Sequence, residues 1–120
     1  MITTASELRE RFPHMFAGTR FELPPGWLGI FAILCEQVNR ELSEVERQQF
    51  RWIQVKEKFG MFRGYHEGVT NKTLIYVETM VNQMESLSVN TCQVCGQPGH
   101  KRVEGGCVRT SCNKCLEIED

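Results

Sequence analysis

Six cysteines stand in the 120-residue chain, and five of them lie at or beyond position 92. Cys92-Gln93-Val94-Cys95 is answered by Cys112-Asn113-Lys114-Cys115. A Cys-x2-Cys pair repeated after an interval of this size is the pattern of a structural zinc site with four thiolate ligands. Two residues between the cysteines make a tight turn that aims both sulfurs at one point, and Gly96 lets the backbone turn beneath the ion. The expected ligands are Cys92, Cys95, Cys112 and Cys115, and the expected cofactor is Zn2+. A site filled by four protein ligands keeps no open position and does not activate water. Its work is to hold up a segment too small to fold alone. Cys107 and His100 compete for a place in the ligand set. The first reads as a small side chain packed on a strand, the second as an exposed loop histidine after Pro98-Gly99. Cys35, beside an apolar stripe, reads as a buried thiol.

Metal-dependent catalysis would need other patterns. A zinc deaminase places proline before its Cys-x-x-Cys pair, whereas Thr91 precedes Cys92 here. A zincin needs His-Glu-x-x-His, and His66-Glu67 is followed by Gly68, Val69 and Thr70. Three histidines in all, His14, His66 and His100, leave few general bases. No Gly-rich phosphate loop and no Gly-x-Ser-x-Gly elbow occurs. The chain is read as non-catalytic, with no catalytic or cofactor-binding residues beyond the metal ligands.

The elements that must position these cysteines follow from periodicity. Thr4 three residues before Glu7 has the spacing of a capping box and predicts a short helix over about 5–12, ended by Pro13. Residues 13–26 read as irregular, closing on Pro24-Pro25-Gly26. Trp27, Ile30, Phe31, Leu34, Val38 and Leu42 fall on one face of a helix, with Glu36, Arg40, Glu41 and Glu44 opposite. From Phe50 the period drops to two. Ile53 and Val55 then share one face with Arg51 and Glu57, while Phe50, Trp52, Gln54 and Lys56 share the other. A turn at Phe59-Gly60-Met61 and a second strand to Tyr65 make a β-hairpin. Leu74, Val77, Val81, Met84 and Leu87 predict a last long helix from about Asn71 to Ser86, with Thr70 or Asn71 as N-cap.

The tail from about Asn90 reads as knuckle, hairpin, knuckle. Lys101-Arg102-Val103 and Cys107 to Thr110 form the strands around a Glu104-Gly105-Gly106 turn. That order describes a zinc ribbon; a treble-clef finger needs a helix after the second pair, where only five residues remain. The fold class expected is α+β, with helices packed on a β-hairpin and a C-terminal four-cysteine zinc ribbon. The division expected is an α+β body over 1–89 and a zinc-ribbon module over 90–120.

A net charge of −1 conceals a segregation. Residues 50–66 carry +3 and residues 92–115 carry +3, whereas 1–49 and 67–91 carry −2 each and the last five residues −3. In the hairpin, cations alternate with Trp52, Phe59, Phe62 and Tyr65. Such a surface grips phosphates and stacks on bases. In the plainer reading its aromatics pack on the helices and its lysines are solvated. No apolar run is long enough for a membrane span, which takes about 18 residues. The N-terminus shows no basic start and apolar stretch of a signal peptide. With no export signal, the cysteines read as a metal site and not as a disulfide framework.

Gly26-Trp27 opening a helix with Leu34-Cys35, then Gln54-Val55-Lys56-Glu57-Lys58-Phe59-Gly60 with Arg63 and Tyr65, then Cys-x2-Cys-Gly and a second terminal pair, together resemble a family of small uncharacterised bacteriophage and prophage proteins. The resemblance covers about residues 26–115, and Lys-Glu-Lys-Phe-Gly is its most specific part. Cys107 departs from it, since tryptophan is usual there. The resemblance implies a phage or mobile-element origin and action in the host cytoplasm, and it brings no catalytic residues.

The expected function is that of a non-catalytic, phage-encoded zinc-binding interaction protein. It binds a host protein or ribonucleoprotein complex, a defence system among them, and modulates or inhibits it. The contact residues expected are Lys56, Lys58, Arg63 and Tyr65 of the hairpin, with Lys101 and Arg102 as a second patch. The alternative is a DNA- or RNA-binding accessory factor that uses the same basic hairpin and zinc ribbon.

Overall fold

Thr4 lends its side-chain oxygen to the Glu7 backbone N–H at 3.2 Å and starts α1, Ala5–Arg11. The computed structural model describes residues 4–118, so residues 1–3 and 119–120 of the two expected segments lie outside the described residues. Residues 13–26 are not wholly irregular. Arg20–Glu22 form a short strand, β1, that pairs in parallel with the later hairpin (Arg20 with Gln54, Phe21 with Val55, Glu22 with Lys56). A 3-10 turn at Pro25–Trp27 leads into α2, Leu28–Glu41. A separate helix, α3, spans Glu44–Gln49 behind a full capping box of Ser43 and Glu46. The hairpin strands are β2, Arg51–Lys58, and β3, Met61–Glu67, and the three strands form one sheet in the order β1-β2-β3. The last long helix, α4, spans Asn71–Ser88, two residues beyond its expected end. The tail holds β4, His100–Glu104, antiparallel to β5, Cys107–Ser111, and a final helix, α5, over Asn113–Ile118. The architecture is thus mixed α+β, with two small sheets and helices.

Strand β2 does not alternate as its sequence does. Trp52 faces His66 and Gln54 faces Tyr65 across the ladder, so Ile53 is an extra residue in a β-bulge. The bulge shifts the phase by one, and Trp52 and Val55 both reach the core while Ile53 is pushed out to 38% exposure. The expected face shared by Ile53 and Val55 is therefore corrected. A period-two reading has no term for an inserted residue.

Five large aromatic side chains, Trp27, Phe31, Phe50, Trp52 and Phe62, are fully buried. Phe31 of α2 is their hub, with its ring 5.4 Å from that of Trp52, 5.6 Å from Phe62 and 6.0 Å from Phe16. Tilted and edge contacts of this kind add about 0.5–1.5 kcal/mol each beyond simple burial. The α2 stripe packs as its spacing predicts, with Leu34, Val38 and Leu42 buried. In α4 only the middle of the stripe is covered: Val77, Val81 and Met84 are buried, while Leu74 and Leu87 are exposed. Met80 is partly buried against the same core. Cys35 is fully buried, as expected, and burial pushes its thiol far up, with the Trp52 indole opposing the shift less strongly.

The tail is hydrogen-bonded to the body at several points. The Trp27 indole N–H donates to the Thr91 carbonyl at 2.9 Å, and the Gly26 N–H donates to the Gln93 carbonyl at 2.7 Å. At the far end the Thr110 hydroxyl, itself buried, donates to the Gly60 carbonyl at the tip of the β2–β3 hairpin, 2.7 Å away.

Candidate functional site

The first cysteine pair sits in a closed loop. Thr91 bridges to Pro98, the Cys92 N–H donates to the Gln97 carbonyl at 2.8 Å, and the Gly96 N–H donates back to the Cys92 carbonyl at 3.0 Å. Gly96 has φ 82°, a left-handed conformation that glycine adopts without a Cβ penalty, as its place after the pair suggests. The second pair is built differently. Cys112 ends the approach from β5, and Cys115 lies within α5, its N–H turned toward the Cys112 sulfur at 3.4 Å. The helix begins inside the pair, so it needs no residues beyond it to start. The tail therefore carries a helix that a plain ribbon lacks, and the expectation that too few residues remain is corrected.

The sulfurs of Cys92, Cys95, Cys112 and Cys115 lie within 4.8 Å of one another, and those of Cys95 and Cys112 are 3.7 Å apart. A tetrahedron with metal–sulfur bonds of about 2.3 Å has edges of about 3.8 Å, so the group is sized to hold a metal ion. The electrostatics point the same way. Burial raises the Cys92 thiol, but the backbone N–H groups of Cys95, Cys112 and Val94 outweigh it and bring the group down to about 6. The Cys112 thiol is lowered, chiefly by the Cys115 N–H. The Cys115 thiol is held up, first by its hydrogen bond to the Cys112 sulfur and then by burial. Some protons leave this cluster easily and the last is retained, a conflict that a bound cation resolves.

Neither rival joins the group. His100 is exposed at the start of β4. Cys107 opens β5 opposite Glu104, and it is exposed, which corrects the expectation that it packs.

The predicted contact residues divide. By ladder register, Lys56 faces Arg63, Lys58 faces Met61 and Gln54 faces Tyr65, so these six side chains share one face of the sheet. Arg20 and Glu22 of β1 extend the same face. No side chain on it is buried, in contrast to Trp52, Val55 and Phe62 on the opposite face. Lys56, Lys58, Arg63 and Tyr65 are therefore brought together. Arg63 is half-buried and pairs with Glu85 of α4 at 3.1 Å. The second patch separates: Lys101 is exposed, but Arg102 donates to the Ser111 carbonyl at 3.3 Å and to the Asn113 side chain, tying β5 to the start of α5.

Of the four hairpin aromatics, Trp52 and Phe62 belong to the core, whereas Phe59 is 63% and Tyr65 48% exposed. Phe59, absent from the predicted contacts, occupies the turn with φ 55°, followed by Gly60 at 78°. Positive φ at both central residues is what a two-residue type I′ hairpin demands, and asparagine is the usual first residue. The signal was in the sequence, since Phe-Gly is an unusual pair for such a turn. No family model, curated protein or solved structure matches this chain. No helix among the described residues is long and apolar enough to cross a membrane.

Proposed function

We propose that the chain is a non-catalytic binding protein, stabilised by a structural zinc ion, that docks a macromolecular complex through the open face of its three-stranded sheet. One observation carries the reading: Lys56, Lys58, Arg63 and Tyr65 converge on a sheet face where no side chain is buried. The antiparallel β2–β3 pair has one covered face, and such pairs ordinarily present polar side chains on the other. This face adds the exposed Tyr65 ring to its cations, with the exposed Phe59 at the adjoining turn, a composition suited to docking. Four cysteines at tetrahedral separations favour zinc or an iron–sulfur cluster. A single group of four thiolates, two of them from a short loop, fits zinc in a zinc-finger module, a ribbon extended by α5. The resemblance to phage proteins supplies the setting, a host protein or ribonucleoprotein complex in the cytoplasm that docking would modulate or inhibit.

The test is capture from host lysate by the wild-type chain and by the doubly substituted Lys56→Glu, Lys58→Glu chain, each with and without nuclease. A set of components retained by the first and lost by the second is expected. Identical capture by both would remove the face from the reading. Elemental analysis should give about one zinc per chain.

A further inference from the structure

We propose that the occupant of the open sheet face is a single strand of nucleic acid; this rests on the reading of that face as a docking surface. Charge is the first argument. The acids nearest the face are engaged within the protein. Glu22 pairs with Arg20 at 3.8 Å and accepts from the Gln54 amide at 2.7 Å, Glu85 pairs with Arg63, and Glu57, on the opposite face by register, accepts from the Gly60 N–H at 2.7 Å. Lys56 and Lys58 carry no ion pair among the described residues. The face therefore presents two unneutralised ammonium groups to whatever lies on it, and a phosphate backbone complements them.

Aromatic placement is the second argument. Phe59 is held in a left-handed conformation that L-residues with a Cβ adopt at a cost, and most of its ring is given to solvent. The Lys58 ammonium lies 5.7 Å from the ring centre, pairing a cation with a stacking surface. Tyr65 stands at the level of Gln54, four residues back along β2 from the hairpin end. At about 3.3 Å per residue the two rings are separated by roughly 13–17 Å along the sheet, with Lys56 between them. Rings at the two ends and cations between suit a few nucleotides laid along the strands, bases stacked and phosphates over the lysines. Beside Tyr65 a cleft of about 430 Å³ lies between β3 and α4, lined by Ile53, Arg63, Tyr65, His66, Glu78 and Glu85 among others.

A duplex fits less well. Its grooves are read by an inserted helix or β-ribbon, whereas here the hairpin tip is tied to the tail by the bond from Thr110 to Gly60, and the face offers two lysines without an ion pair among the described residues. The segments that hold α2, α3 and α4 carry net negative charge and would meet a second strand with repulsion.

The test uses the full metal-loaded chain and fluorescence anisotropy with labelled mixed-sequence RNA and DNA oligonucleotides, single-stranded and as the matching duplex. Single strands should bind at low salt, more tightly than the duplex, with a log–log salt slope of about −1.4 for two phosphates. Tyr65→Ala should weaken binding roughly 5- to 150-fold. Phe59→Asn should weaken it similarly while raising the thermal midpoint by a few degrees, because asparagine suits the turn. A purely structural role for Phe59 would not move stability and binding in opposite directions. Amide shifts on titrating the unaltered protein should concentrate at residues 54–58 and 61–65, which keeps the test independent of how the variants fold. Absence of oligonucleotide binding at low salt, equal affinity for duplex, or unchanged affinity in both aromatic variants would overturn the inference. If no oligonucleotide binds but a protein complex is still captured through Lys56 and Lys58, docking stands and the nucleic-acid assignment falls.

Discussion

Gly26 lies where the entry to α2 meets the first cysteine loop. Its N–H donates to the Gln93 carbonyl at 2.7 Å, and a methyl group in its place would overlap the Cys92 carbonyl oxygen and the Gln93 backbone. What such a methyl meets is main chain, so relief requires the loop to move and not merely a side chain to rotate. Gly26→Ala should cost about 3 kcal/mol, read as a lower urea midpoint at unchanged slope. A wild-type midpoint would show that the loop does not dock there. The atoms displaced belong to Cys92 and Gln93, and Cys92 is one of the four cysteines proposed to hold zinc, so the same variant should also release zinc more readily to a chelator. The ligand assignment is tested by substitution at single cysteines. Cys92→Ser or Cys112→Ser should lose the metal in elemental analysis, whereas Cys107→Ser should retain it, since Cys107 lies outside the sulfur cluster. Metal loss from the Cys107 variant would count against the four-ligand set.

Among the elements, α3 is held by its cap more than by packing, for it buries no residue. Glu46 reaches back to the Ser43 N–H at 2.9 Å, and that bond, with a lesser contribution from Thr73, keeps its carboxyl below the usual value of 4.5. A carboxyl lowered in the folded state contributes stability above its unfolded pKa and loses it as pH falls through the folded one. Chemical shifts of residues 44–49 should therefore report full helicity at neutral pH and a loss only below about pH 4.5. Fraying that begins near pH 6 would contradict this. The same cap, Ser43-x-x-Glu46, is present in the sequence but is masked by the pattern of α2, which runs up to it. The long helices and the cysteine spacing were readable because each repeats its own signal over many residues. Strand β1 was not: three residues, Arg20-Phe21-Glu22, carry no period, and only tertiary pairing with β2 makes them a strand. The Ile53 bulge and the start of α5 inside Cys112–Cys115 were hidden for related reasons. One breaks a period, and the other overlaps a motif already assigned a different shape.

At the scale of the whole molecule, the cysteine module and the body meet through a few hydrogen bonds, the one from Thr110 to Gly60 buried. Thr110→Val removes the hydroxyl that satisfies the Gly60 carbonyl and keeps the side chain's shape. Leaving that acceptor without a donor should cost about 1–3 kcal/mol, visible as a lower thermal midpoint. Because Thr91, Gln93 and Thr110 all bond to the body, stripping the metal should lower the melting of the tryptophan core as well as the tail. A body transition that ignores chelation would show that the two melt separately. The same arrangement makes Cys107 useful in another way. Cys35 is sealed in the core; Cys95 and Cys107 are both exposed, but Cys95 belongs to the four-sulfur cluster, so with an ion bound there Cys107 is the exposed thiol left unligated. A thiol-reactive dye should therefore couple once per chain while the ion is bound. Chelation should expose the other four tail thiols to the same dye, turning a colorimetric thiol count into a gauge of metal occupancy.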